Sequence, residues 1–289
     1  MEKTSASGGS AIRIQQKHIM TMVVAIVSTA LSYAINYYLN LGPLNNYKPA
    51  GSVFAASAVG IISALFFKDY AVTGYIGAFV GMSSLKVIPS IEYTLLIGFI
   101  CGIVCLMFAP QWVGFGGKAG TTAFLSVTVT TYLFVVASAL GLSKTNLEDY
   151  FKNLTPIDQA YFVAAMLAGV FGIMATILLR EKVLQKTIKA NDVVLGSAIV
   201  GLVSAIVVPW IPPTDITAKL PVIIASGTYA GMASRKILPT YMHYLVTGII
   251  VGIINVTTAT VFIGFGGGLG FRGLISIVIL RAIMSLYKK

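Results

Sequence analysis

The chain repeats itself, and this duplication limits its fold more than any single motif does. Shifted by 150 positions, residues 77–126 align with 227–276 without a gap, and 18 of the 50 pairs are identical. GAFVGMSSLKVIP at 77–89 answers GTYAGMASRKILP at 227–239, and Gly98 and Gly102 answer Gly248 and Gly252. The block closes on GFGGKAG at 114–120 and GFGGGLG at 264–270. Upstream, VGIISA at 59–64 returns as VGLVSA at 200–205, shifted by 141, so the second copy carries an insertion around 209–219.

The duplicated unit is a set of apolar segments. Hydrophobic residues make up 57% of the chain and charged ones only 10%, against roughly a quarter charged in soluble domains. Apolar runs occupy 19–41, 51–67, 71–85, 93–109, 119–142, 159–179, 193–211, 220–234, 241–263 and 269–286. Eight are long enough for full spans of about 20 residues. The runs at 71–85 and 220–234 are short, Gly-rich and bounded by Pro89, or by Pro221 and Pro239. They read as short tilted spans or as re-entrant hairpins. The expected fold is an all-α polytopic membrane protein of about ten transmembrane segments, arranged as two five-segment repeats. Five is odd, so if every segment crosses, the second copy enters from the opposite face and the repeats are inverted.

Charge orients this arrangement. Net charge is +11, but the bases flank apolar runs rather than lining one face. That pattern fits orientation against anionic lipid and excludes a nucleic-acid partner. Ten crossings with both termini cytoplasmic put the dense cluster Arg180, Lys182, Lys186 and Lys189 inside; re-entrant short runs would put it outside. The expected layout is a cytoplasmic segment 1–18, a first membrane repeat 19–142, an external loop 143–158 holding Glu148, Asp149 and Asp158, and a second repeat 159–289. The first apolar run exceeds a signal-peptide core and reads as an uncleaved helix, in a protein of the plasma membrane.

Residues for chemistry are scarce. Cys101 and Cys105, one helical turn apart in an apolar run, read as small core residues, and His18 and His243 as interfacial. No HExxH, Walker loop, CxxC or nucleophile elbow with acid and histidine occurs, so neither an enzyme nor a cofactor is expected. No acidic or basic side chain falls mid-span in the sequence pattern, which disfavours a carboxylate proton relay.

The candidate pathway therefore rests on glycine and hydroxyl residues. Gly114, Phe115, Gly116 and Gly117, like Gly264, Phe265, Gly266 and Gly267, precede helical runs whose free N–H ends suit an anion or a carbonyl dipole, with Lys118 and Arg272 beside them. Gly81, Ser83 and Ser84 with Gly231 and Ser234 sit in the short segments, where interrupted helices in both halves point to a solute site. Thr121, Thr122, Asn255 and Thr258 add polarity. Tight turns, small-residue helix packing and hydroxyls bonded to their own helix account for the same residues without any solute.

The expected function is a channel or a facilitative or secondary transporter, moving a small polar or anionic solute or ion between the repeats, in contact with membrane lipid and with homo-oligomers as one assembly. The rival expectation is a non-transporting membrane subunit that anchors a redox or assembly complex. A lipid-modifying enzyme would need polar groups converging at one interface, where only Tyr241, His243 and Tyr244 cluster.

Overall fold

A computed structural model describes residues 5–41, 48–139, 159–188, 191–211, 214, 216–259, 261 and 263–286. The expected external loop, 143–158, lies wholly outside the described residues. Regular structure among the described residues is entirely helical. Ten helices carry the architecture: α1 (Ser5–Leu41), α2 (Lys48–Phe66), α3 (Ala71–Gly81), α4 (Ile91–Phe108), α5 (Lys118–Ala139), α6 (Gln159–Leu178), α7 (Asp192–Val207), α8 (Leu220–Ala230), α9 (Tyr241–Thr257) and α10 (Gly268–Leu286). A π-helical segment, Leu179–Leu184, and a last turn, Gln185–Thr187, extend α6.

Five stretches are long and apolar enough to cross a membrane: Gln15–Leu39, Ile91–Phe108, Ala160–Thr187, Asp192–Trp210 and Gly268–Leu286. Their outward faces are apolar: Leu95, Phe99 and Ile103 on α4 and Val163, Leu167 and Phe171 on α6 are exposed at four-residue spacing. Water would penalise such stripes and lipid does not. The chain is a membrane-embedded helical protein.

The two short runs are helical for only 11 residues each, in α3 and α8. Eleven residues rise about 16 Å, roughly half the hydrocarbon core. The chain then unwinds over 82–90 and 231–240, and Pro89 and Pro239 forbid helix in the residue before them. Helix resumes at Ile91 and Tyr241, where His243 completes a capping box with Thr240.

Glycine fixes how the helices meet, because small residues let backbones approach without a polar penalty in lipid. Gly77 rests on Ala25 and Ser28 of α1 and Gly81 on Thr29 and Tyr33, so α1 and α3 run the same way. Gly98 meets Ile26 and Gly102 meets Met22, so α4 runs against α1. The second half repeats this: Gly231 rests on Thr176, Gly248 meets Val170 and Gly252 meets Met166. These contacts align α1 with α6 at a shift of 144. Over 19–38 and 163–182 that alignment has one identity, Met22 with Met166, which is why sequence comparison does not find it.

Two antiparallel contacts join the halves. Between α2 and α7, Gly60 faces Ala198 and Gly201 faces Ser57. Between α5 and α10, Gly117 faces Gly270 and Leu274, Gly120 faces Gly270, and Gly267 faces Gly120 and Phe124. In both, the numbers climb on one helix as they fall on the other, and each contact has its counterpart with the halves exchanged.

Candidate functional site at the seam between the halves

Each GFGG turn serves the opposite half. Ser234 N donates to Gly114 O and Ser84 N donates to Gly264 O, both at 2.8 Å. Gly266 N also donates to Ser83 Oγ at 2.9 Å. The unwound segment after α3 is thus bonded to the turn before α10, and that after α8 to the turn before α5. Glycine is required here for two reasons. Gly114, Gly117, Gly264 and Gly267 have φ between 79° and 84°, where a side chain is strained. A methyl on Gly116 would come within 3 Å of Ala230 C and Ala233 N, and one on Gly266 within 3 Å of Ser83 Oγ and Val80 O. Backbone meets backbone, so the seam is filled in this conformation.

The flanking side chains are mostly committed. Thr121 donates to Gly117 O, Thr122 to Lys118 O and Thr258 to Ile254 O, each within its own helix or helix start. Phe115 packs against the apolar cluster that holds Ala230, Ala233 and Leu238, and Phe265 lies 6.3 Å from Phe124, ring to ring. Lys118 Nζ donates to Ala109 O at 2.6 Å, and Arg272 donates to Thr258 O at 2.8 Å and Asn255 Oδ1 at 3.3 Å. Both cations therefore serve the carbonyl ends of the preceding helices, α4 and α9, where the helix dipole is negative. Asn255 in turn donates to Ser226 Oγ at 3.0 Å, and Ser226 to Leu269 O at 2.8 Å. Only Ser234 Oγ in the candidate set is buried without a partner.

Two residues outside the candidate pathway set hold the ends of the broken helices. Asn36 Nδ2 donates to Ser83 O at 3.0 Å. Arg180 Nη1 donates to Ala233 O at 3.2 Å and to Gly231 O at 2.9 Å. Ser83 and Ala233 are equivalent at the 150 shift, as Asn36 and Arg180 are at 144, so both halves clamp the break at the same place. Arg180, expected at a terminus, is instead 7% exposed, with Asp192 3.6 Å from its Nε. It sits in the π-helical segment, a distortion that recurs at functional sites.

The equivalence stops at charge. Arg235 Nε and Nη2 bond both Glu181 oxygens at 2.6 Å, Tyr241 donates to Glu181 Oε2 at 2.6 Å, and the guanidinium lies 4.1 Å from the Tyr241 ring centre. The Glu181 hydrogen bonds hold Arg235 above its ordinary range. The equivalent positions, Tyr37, Leu85 and Ile91, are uncharged. The break after α8 is bridged by ions and the break after α3 by neutral groups.

Buried at the seam is a group of hydroxyls. Tyr75 Oη and Ser197 Oγ are 3.2 Å apart, Ser197 donates to Thr228 Oγ1 at 3.1 Å, and Thr228 donates to Ala225 O at 2.8 Å. Phe79 and Tyr229 meet with ring centres 4.5 Å apart, and Tyr75 and Tyr229 at 6.0 Å. The Ser57 hydroxyl is buried with no hydrogen-bond partner, and the buried Tyr229 hydroxyl has only the Tyr75 hydroxyl beside it, with no hydrogen bond of standard geometry. No cluster of three or more metal-binding side chains occurs among the described residues. Comparison with known families, curated proteins and solved structures returned no match for this chain.

Proposed function

We propose that this chain is a channel or a facilitative or secondary transporter that carries a small polar solute across the plasma membrane, between two inverted five-pass repeats with both termini cytoplasmic. The observation that carries the reading is the reciprocal exchange at the seam, where each half supplies the turn that bonds the other half's broken helix. The antiparallel run of α2 against its equivalent α7, and of α5 against α10, supports opposite insertion of the halves. In such folds, interrupted helices at the repeat interface bring backbone polar groups to membrane depth, where a solute can replace them.

Commitment of Lys118 and Arg272 to carbonyl groups weighs against an anionic solute and in favour of a neutral one.

Purified protein in liposomes provides the test. Vesicles holding the protein are expected to shrink and reswell with a permeant neutral solute faster than protein-free vesicles. Equal rates across neutral solutes, anions and cations would overturn the proposal.

A further inference from the structure

The seam hydroxyls are too polar for their packing role. Across the seam each has an equivalent position, at a shift of 141 between α2 and α7 and of 150 between α3 and α8. Ser57 is matched by Ala198, Ser197 by Ala56, Tyr75 by Ala225, Thr228 by Ala78 and Tyr229 by Phe79. All five partners are apolar and fully buried. The fold thus fills the same places without oxygen in one copy of each pair. Phe79 and Tyr229 even touch each other, so the ring is needed there and the hydroxyl is not.

Two of these hydroxyls are also left without a hydrogen bond of standard geometry. Ser57 Oγ points at Gly201, one turn from Ser197 on α7, and Tyr229 Oη lies in the Tyr75 group; Ser57 is 0% exposed and Tyr229 1%. A buried polar atom without a partner is rare and asks for an explanation, such as a ligand or water that comes and goes. The group is neutral throughout. Every member both donates and accepts, and no carboxylate, ammonium or guanidinium lies among its hydrogen-bond partners. An ion brought here would leave its hydration behind with no opposite charge to meet. Gly60 and Gly201 let the group pack tightly between the halves: a methyl at 60 would strike the Tyr75 ring, and one at 201 the Ser57 hydroxyl.

We infer that the hydroxyls of Ser57, Tyr75, Ser197, Thr228 and Tyr229 form the midpoint site for a small neutral solute that both donates and accepts hydrogen bonds, of the amide, urea or polyol class. This rests on the transport reading and narrows it. The solute enters when the closed seam parts and takes up the unused bonds of Ser57 and Tyr229.

The experiment uses full-length protein in liposomes and follows light scattering with formamide, urea and glycerol, against chloride and nitrate as anionic probes. Thermal unfolding of each variant in detergent is measured alongside. Tyr229→Phe copies the residue at the equivalent position, so it should unfold at the same temperature as the wild type or higher. Its neutral-solute flux should fall about five-fold, as for one neutral hydrogen bond lost. Ser57→Ala should behave likewise and stands in if Tyr229→Phe fails to fold. Undiminished flux in a folded variant overturns the site and leaves the transport reading intact, and so does wild-type flux confined to anions. No wild-type flux of any probe overturns both.

Discussion

Neighbouring glycines at 267 and 268 offer a sharp test of the seam. Gly267 has φ of 82°, and a methyl there would lie within 3 Å of Gly120 O, Phe124 N and Ala123 Cβ. Gly268 meets only Phe124 Cδ2, at 3.8 Å. For Gly267→Ala, the left-handed backbone costs about 1–2 kcal/mol. Forcing a methyl into packed backbone adds about 1–3 kcal/mol. The sum, about 2–5 kcal/mol, corresponds to a fall in unfolding temperature on the order of 10 °C. Gly268→Ala meets neither penalty and begins a helix, so it should stay within about 1 kcal/mol of the wild type or gain stability. Gly117 repeats the geometry of Gly267 against Gly270 and Leu274, so Gly117→Ala should match Gly267→Ala. Circular dichroism melts in one detergent, with all three variants side by side, make the measurement. Equal melting of the 267 and 268 variants would refute the reasoning, since one added methyl group is common to both.

Further outcomes follow from the same contacts. With Cys101 and Cys105 replaced by alanine, cysteines at the exposed, equivalent positions Lys86 and Lys236 should react with a membrane-impermeant maleimide from opposite sides; reaction from one side would make the repeats parallel. Arg180→Met strips the carbonyls of Gly231 and Ala233 of their donor and should destabilise by about 2–3 kcal/mol in melts. Asn36→Ala, which removes one such bond, should cost about half as much. Glu181→Gln loosens a pair whose arginine is about one-third exposed, so its melt should shift by at most about 1 kcal/mol at low salt and converge with the wild type near 1 M salt, where screening reaches about 3 Å.

Membrane class, the duplication and the two interrupted segments were all legible in the chain. They depend on composition and on local rules: apolar length, and proline and glycine where helix must stop. The glycine turns were legible too, because a positive φ and a backbone contact both exclude other residues and so preserve GFGG in both copies. What Lys118 and Arg272 do was not legible. Their partners, Ala109 O and Thr258 O, lie nine and fourteen residues back, and only the folded turn brings them within reach.

Tertiary structure alone decided which residues meet at the seam. Asn36 and Arg180 share no side-chain type, so no comparison of letters pairs them, yet each reaches the same carbonyl position because helix packing places it there. Tyr75 and Ser197 lie 122 positions apart, and Ser57 and Gly201 touch only because α2 and α7 cross. Sequence records what each segment can bury and where its backbone can bend. Which hydroxyl loses its water, and whether another group replaces that bond, depends on the partner helix and is settled only on packing.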